Sequence, residues 1–289
     1  MIKKGIILAG GTGSRMSPIT KAVNKQLLPI HDKPLIYYPL SVLMLANIKE
    51  VLIIVNQGQL NQFEKILGDG SRFGIKISYA EQQKPSGLPE AFIIGEDFIG
   101  KENVALILGD NFFYGQNLTK SLKECTKLKN GAIVFLHPVK NPNLYGVAKV
   151  NHKNKILQLV EKPEKPKSNL AVTGMYFFDN KVVELSKKLK PSKRNEIEII
   201  DLLKKYLKKS QLKAEMLGRG GTWLDAGSIE DYYETSLFVS TIEKRQGLKI
   251  ACLEEIALNY NWIKKNDIVK SINFYGNCNY SKYLSNLIK

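Results

Sequence analysis

Cysteine and histidine are scarce in this 289-residue chain, with three of each. Cys125, Cys252 and Cys278 are odd in number and far apart, which argues against a disulfide framework and a thiolate metal site. His31, His137 and His152 are too scattered for a zinc-type centre. No apolar run reaches the length of a membrane span, and Met1-Ile2-Lys3-Lys4 leads straight into a strand pattern instead of a secretory leader, so a cytoplasmic protein with no membrane partner is expected. Acids are outnumbered, 27 against 43 lysines and arginines, for a formal charge of +16. The excess does not gather into a nucleic-acid face. Lys187-Lys188, Lys204-Lys205 and Lys208-Lys209 recur as pairs on stretches of helical apolar spacing, where they read as solvated helix faces, and a small anionic substrate or a merely lysine-rich surface accounts for the charge better than nucleic acid does. Internal repeats and low-complexity linkers are also missing. The 44% apolar and 24% charged content is that of an ordinary globular protein, long enough for one extended α/β core.

What the chain does have is a glycine-rich loop at the end of its first strand. Gly5-Ile6-Ile7-Leu8-Ala9 is an apolar β-favouring run, and Gly10-Gly11-Thr12-Gly13-Ser14-Arg15-Met16 follows it directly. A buried parallel strand turning into such a loop makes a cradle of main-chain N–H groups suited to phosphate, and Arg15 adds a fork-shaped cation. The loop is not a Walker A motif, because Gly13-Ser14-Arg15 stands where Gly-Lys-Ser/Thr is required. Nor is it a dinucleotide fingerprint: counting from Gly11 and Gly13, Met16 occupies the third glycine position, and the next apolar run ends at Val55-Asn56 without a ribose-binding acid.

Apolar patterning predicts a helix over 35–45, a buried strand over 50–55, a helix over 60–67, a strand over 75–79 and a polar loop over 81–87. The most hydrophobic strand, 104–108, stops at Gly109-Asp110-Asn111. Strands and helices alternating at these spacings predict a doubly wound, mostly parallel, Rossmann-like sheet whose ligands lie outside the carboxyl ends of its strands. From about residue 131 the pattern turns β-rich, with segments at 132–136, 146–150, 156–160 and 170–178. A helix over 197–208, a strand over 213–217 and a long helix over 229–245 follow, and residues 246–289 read as a helical C-terminal appendage to a core spanning 1–245.

Two acids stand out. Asp110 sits where a buried strand meets solvent, a place for a hard oxygen ligand to Mg²⁺. Asp225, in Leu224-Asp225-Ala226-Gly227, is either a second such ligand or the cap of the helix that follows. Arg15, Lys25 and Lys162 lie in apolar or turn-forming surroundings, and together with the loop and the acids they make a set of phosphoryl-transfer parts. No Ser/His/Asp or Cys/His set is evident, which favours direct displacement on phosphorus over a covalent intermediate.

These residues carry a resemblance. Gly10-Gly11-Thr12-Gly13-Ser14-Arg15, Lys25-Gln26-Leu27-Leu28-Pro29, Leu108-Gly109-Asp110-Asn111, Tyr145-Gly146-Val147, Glu161-Lys162-Pro163, Val172-Thr173-Gly174 and Trp223-Leu224-Asp225 are similar, in order and spacing, to the motif series of the bacterial glucose-1-phosphate thymidylyltransferases. The resemblance implies a Mg²⁺-dependent reaction in which glucose 1-phosphate attacks the α-phosphorus of dTTP, releasing pyrophosphate and dTDP-glucose on the way to dTDP-sugars such as dTDP-rhamnose. It implies a nucleotide-binding half over 1–130 and a sugar-phosphate-binding half over 131–227. Leu8, Gly10, Gly11, Thr12, Gly13, Arg15, Lys25, Gln82, Pro85, Ser86, Gly87 and Asp110 would hold the nucleotide. Leu88, Gly109, Asn111, Tyr145, Gly146, Glu161, Lys162, Val172 and Trp223 would hold the sugar phosphate, and Asp110 and Asp225 the metal. Arg15, Lys25, Asp110, Lys162 and Asp225 would carry the chemistry. A homotetramer is implied too, with a regulatory nucleotide-sugar site at Gly115, Arg219, Ile250, Ala251, Cys252, Glu255 and Ile256. The chain departs from the series at Lys84 and Ser86 in the base loop and at Gly221, Thr222 and Ala226 around Asp225. A related enzyme using UTP or another sugar phosphate, and a non-catalytic nucleotide-sugar sensor, are the alternatives.

Overall fold

A computed structural model describes all of residues 1–289. The chain opens with β1 (Lys4–Ala9), passes a short hairpin of β2 (Pro29–Ile30) and β3 (Lys33–Pro34), and continues through β4 (Glu50–Asn56), β5 (Lys76–Gln82) and β6 (Val104–Leu108). Strands β6, β1, β4 and β5 lie side by side and parallel; β6, β1 and β4 are apolar runs covered on both faces, while β5 is the edge strand and mixes polar with apolar residues. Their side chains split by alternation: Ile7 and Ala9 of β1 belong to a core on one face, Ile6 and Leu8 to a core on the other. The expected doubly wound parallel sheet is present.

After β6 comes β7 (Asn111–Gly115), then β8 (Ala132–Pro138), β9 (Gly146–Val150), β10 (Ile156–Glu161), β11 (Leu170–Phe178), β12 (Leu212–Met216) and β13 (Gly221–Asp225). Strand β11 extends the parallel part antiparallel to β6, so the sheet runs β10-β9-β11-β6-β1-β4-β5, with β8 and β12 on the other edge of β11. Register shifts between Val172 and Tyr176. That break leaves Gly174 N–H free to serve the site.

Strand β5 runs on to Gln82, so Glu81 and Gln82 belong to the sheet and not to the following loop. The helix expected from 35 begins at Tyr37, the one expected from 197 at Ile199, and β12 starts one residue early. Two helices, Leu118–Cys125 and Val182–Lys187, are too short for their apolar spacing to announce them, and the two-stranded ribbon of β7 and β13 is likewise unannounced. The last three helices, Leu253–Asn259, Lys265–Tyr275 and Asn279–Leu287, pack Leu253, Ala257, Ile268 and Leu284 into the same core as Ile7. Each such buried Leu or Ile side chain contributes about 1.5–3 kcal/mol, which ties the C-terminus to the sheet. No helix is long and apolar enough to cross a membrane.

Candidate active site

The carboxyl ends of β1, β5, β6 and β10 open into a cleft of about 340 Å³. At the β1 end the glycine loop is pinned from the next strand over: Asn56 Oδ1 accepts from Gly11 N at 2.9 Å and Asn56 Nδ2 donates to Gly11 O at 2.7 Å. A single helical turn, Ser14–Met16, follows and carries Arg15 into the cleft. The guanidinium lies close against Gly227, where a Cβ would stand only 2.7 Å from Arg15 Nη2. An anion in the loop would meet main-chain amides on one side and the Arg15 guanidinium on the other.

The two acids meet because the ribbon brings them together. Strand β13 pairs antiparallel with β7 so that Asp225 stands opposite Asn111, and Ala226 N donates to Asp110 O at 3.0 Å. Lys25 Nζ bonds and neutralises Asp110 Oδ2, while Asn111 Nδ2 donates to Asp110 Oδ1 at 2.9 Å. Asn111 is itself locked, its Oδ1 accepting from Trp223 Nε1 at 2.6 Å and Gly174 N at 2.9 Å. Burial works against the Asp110 carboxylate, but the Lys25 charge and these hydrogen bonds outweigh it and hold the group below the usual carboxylate range. Asp225 has no such partner: burial and the charge of Asp110 push it up to about 7, against weaker pulls from Lys25 and Arg15. Nor does Asp225 cap the helix Ile229–Gln246, because Ser228 does so, its Oγ accepting from Asp231 N at 3.1 Å. The capping alternative for Asp225 is thereby removed. Two carboxylates, one without a countercharge of its own, form an oxygen-only donor set of the kind Mg²⁺ takes, so Asp110 and Asp225 fit a divalent ion.

The far wall comes from the antiparallel strands. Tyr145, Gly146, Glu161, Lys162, Val172 and Trp223 line it, with Tyr145 and Trp223 ring centroids 5.1 Å apart. Lys162 N donates to Tyr145 O at 3.1 Å, and Lys162 holds a left-handed φ of 39°, a strained backbone for a non-glycine residue. Three residues that no sequence motif singles out line the same wall: Arg194, Glu196 and Glu198. Arg194 is clamped by Glu198, with Nη2 to Oε2 at 2.6 Å and Nε to Oε1 at 3.0 Å, and reaches Glu161 Oε1 at 3.3 Å. Burial and the charge of Glu198 raise the Glu161 carboxyl. At the base end, Gln82, Pro85, Gly87 and Leu88 complete the lining. Gly87 has φ 111° and presses on Ile197, whose carbonyl oxygen would stand 2.1 Å from any Cβ, so no other residue fits there.

Leu8, Gly10, Gly11, Arg15, Gln82, Pro85, Gly87, Leu88, Asp110, Asn111, Tyr145, Gly146, Glu161, Lys162, Val172, Trp223 and Asp225 thus share one cleft. Lys25 touches it only through Asp110, and Thr12, Gly13, Ser86 and Gly109 are not among the residues that line it. The residues of the expected regulatory site lie elsewhere. Gly115 pairs with Gly221 at the end of the ribbon, and Arg219 is exposed in the turn before it. Ile250 N donates to Glu243, Ala251 and Cys252 are buried, Glu255 accepts from Tyr283 Oη at 2.7 Å, and Ile256 packs on the core.

A parallel sheet ending in a pinned anion loop, facing paired acids and a second cationic wall, defines the class: an enzyme that handles phosphate esters. The chain belongs to the nucleotidyl transferase family, whose model matches residues 4–242. It is 51% identical over 286 residues to the glucose-1-phosphate thymidylyltransferase of Neisseria meningitidis, covering 99% of each chain. It is 48% identical to that of Xanthomonas campestris, covering 99% of this chain and 97% of the relative. Among solved structures it is similar to a UDP-glucose pyrophosphorylase complexed with UDP-glucose, with 32% identity, a TM-score of 0.74, and coverage of 85% of this chain and 100% of that one.

Proposed function

We propose that the protein transfers a thymidylyl group from dTTP to glucose 1-phosphate, giving dTDP-glucose and pyrophosphate. What carries this reading is the meeting of Asp110, Asp225 and Arg15 in one cleft whose opposite wall holds Lys162 and Arg194. Main-chain amides of the glycine loop and Arg15 bind the triphosphate. Lys162 and Arg194 hold the phosphate of the sugar and point one of its oxygens at the α-phosphorus. A new P–O bond forms there while the bond to the β-phosphate oxygen breaks, and pyrophosphate leaves with its electron pair. Mg²⁺, held by Asp110 and Asp225, supplies charge neutralisation across the phosphates when bound. Lys25 fixes Asp110 in its ionised form, and Trp223 and Gly174 fix Asn111 against it, so the acid is preorganised.

The family match over residues 4–242 supports a catalytic core of about 1–245 with residues 246–289 as its helical extension, and a division of the cleft between a nucleotide half and a sugar-phosphate half. The kinship also supports a cytoplasmic homotetramer with a regulatory site near Gly115, Arg219 and the stretch 250–256, and a place at the head of dTDP-sugar synthesis. UTP is the competing nucleotide, since the structural likeness includes a UDP-glucose pyrophosphorylase and one methyl group is worth only about 1–3 kcal/mol in a pocket. Pyrophosphate release, measured for each nucleoside triphosphate against several sugar 1-phosphates with and without Mg²⁺, tests the reading. Turnover confined to dTTP with glucose 1-phosphate and Mg²⁺ is expected, and no release from any pair would overturn it.

A further inference from the structure

Gln82 ends β5 at the base end of the cleft and is 3% exposed. Its amide lies against the glycine loop, where a Cβ built on Gly10 would stand 2.4 Å from Gln82 Oε1. The amide nitrogen is committed: Gln82 Nε2 donates to Glu90 Oε2. The same carboxylate oxygen accepts from Ser86 N at 3.0 Å, which braces the loop that follows β5. A carboxylate oxygen accepts and does not donate, so turning the Gln82 amide over would set oxygen against oxygen. The orientation is fixed by chemistry, and the atom left for the cleft is Oε1, an acceptor with no partner in the chain.

We propose that Glu90 is a positioning residue that sets base choice. By holding the Gln82 amide one way round, it presents a permanent acceptor to the edge of the nucleobase. Among pyrimidines this selects thymine and uracil, whose ring nitrogen carries a hydrogen at that edge, and rejects cytosine, whose bare ring nitrogen would face Oε1 acceptor to acceptor. The inference rests on the nucleotide reading of the cleft given above and adds to it the source of the selectivity. Glu90 lies outside the lining of the cleft and need not touch the substrate; it acts through Gln82.

The test compares dTTP with 5-methyl-dCTP, which keeps the methyl group, by kcat/KM and by the nucleotide-induced rise in Tm. Wild type is expected to favour dTTP by about 100-fold or more, the cost of a mispaired buried hydrogen-bonding group. Glu90→Ala frees the amide to turn and should shrink that preference at least about tenfold, with KM for glucose 1-phosphate held within about twofold. Glu90→Gln, whose amide oxygen can accept both hydrogen bonds, should keep the preference within about threefold of wild type. Should Glu90→Ala be too unstable to assay, Glu90→Met keeps the bulk without the acceptor and takes its place. A variant that loses both nucleotides in proportion, ratio unchanged, shows a merely structural role and overturns the proposal; so does a wild type that treats the two alike. Selective binding of dTTP without pyrophosphate release would instead sink the transfer reaction and leave the role of Glu90 standing.

Discussion

Two clusters of buried charge, one in the cleft and one beneath the helix Ile229–Gln246, use the same residue types to opposite ends. In the second, Lys33 Nζ lies 3.0 Å from Glu243 Oε1 and 2.5 Å from Asp32 Oδ1, and Lys249 bonds both acids. Burial disfavours the Asp32 carboxylate, yet the two lysines outweigh it and hold it below the usual range. His31, Asp32 and Glu243 have donor atoms close enough to hold a metal, but the lysine ammonium groups already occupy the lone pairs of the two acids. Every acid there is answered from within the chain. Of the two aspartates in the cleft, Asp110 is answered by Lys25 and Asp225 is not. A closed cluster is a strut between elements far apart in sequence, whereas an open one awaits a cation or substrate.

The sharpest way to break this contrast is Asp225→Asn. If the open acid serves catalysis, kcat should fall about 100- to 1000-fold with no loss of Tm; unchanged turnover would show that Asp225 is no part of the chemistry. The converse experiment is Glu243→Ala, which removes one of the two acids that neutralise Lys33, 2% exposed at its side chain, and takes the acceptor from Ile250 N and one partner from Lys249. A loss of about 3–5 kcal/mol is expected, read as a Tm drop of roughly 6 °C or more, with activity per folded molecule retained. A fall in kcat with Tm intact would make the strut part of the site.

A smaller effect follows from the raised carboxyl of Asp225. Its pKa of about 7 exceeds the ordinary value of 3.8, so the folded, metal-free protein binds more protons than the unfolded chain between those values. The stability this gives is whole below about pH 4 and is lost as the pH climbs through about 7. Metal-free Tm should therefore decline toward about pH 8 more steeply in wild type than in Asp225→Asn, and parallel curves would contradict it. Smallest is Lys162→Ala, expected to raise KM for the sugar phosphate about tenfold while leaving that for the nucleotide unchanged. An effect confined to the nucleotide would move Lys162 to the other half of the cleft.

The parallel strands and the anion loop are legible in the sequence because an uninterrupted apolar run ending in glycine admits few arrangements besides a buried strand and a sharp turn. The ribbon that joins the two acids is not. Asn111–Gly115 follows β6 after only Gly109 and Asp110, where Gly109-Asp110-Asn111 reads as the end of a strand and not as the start of another, and its partner Gly221–Asp225 hides behind the glycines Gly218, Gly220 and Gly221. Hence the local pattern allows Asp225 as metal ligand or as helix cap, and it takes Ser228 in the capping position to separate the two. Arg194, Glu196 and Glu198 are hidden for a different reason. Arg194 and Glu196 lie in a polar stretch after Pro191 that looks like a connector, Glu198 stands at the start of the expected helix, and only the fold turns all three toward the cleft. Asn56 stands out in the sequence solely for not being an acid, yet its side-chain amide clamps Gly11. Long-range pairing decides all of these, and local pattern does not carry it.

The contact of Gly87 with Ile197 has a mechanical consequence. Ser86 O accepts from Ile197 N at 2.8 Å, so the segment beside the base and the segment bearing Arg194 and Glu198 are stitched into one body. A displacement of one segment is thereby coupled to the other. If the cleft releases the nucleotide-sugar proposed above by widening at this wall, the two segments would move as a unit or that stitch would part, and a side chain at residue 87 would jam the joint.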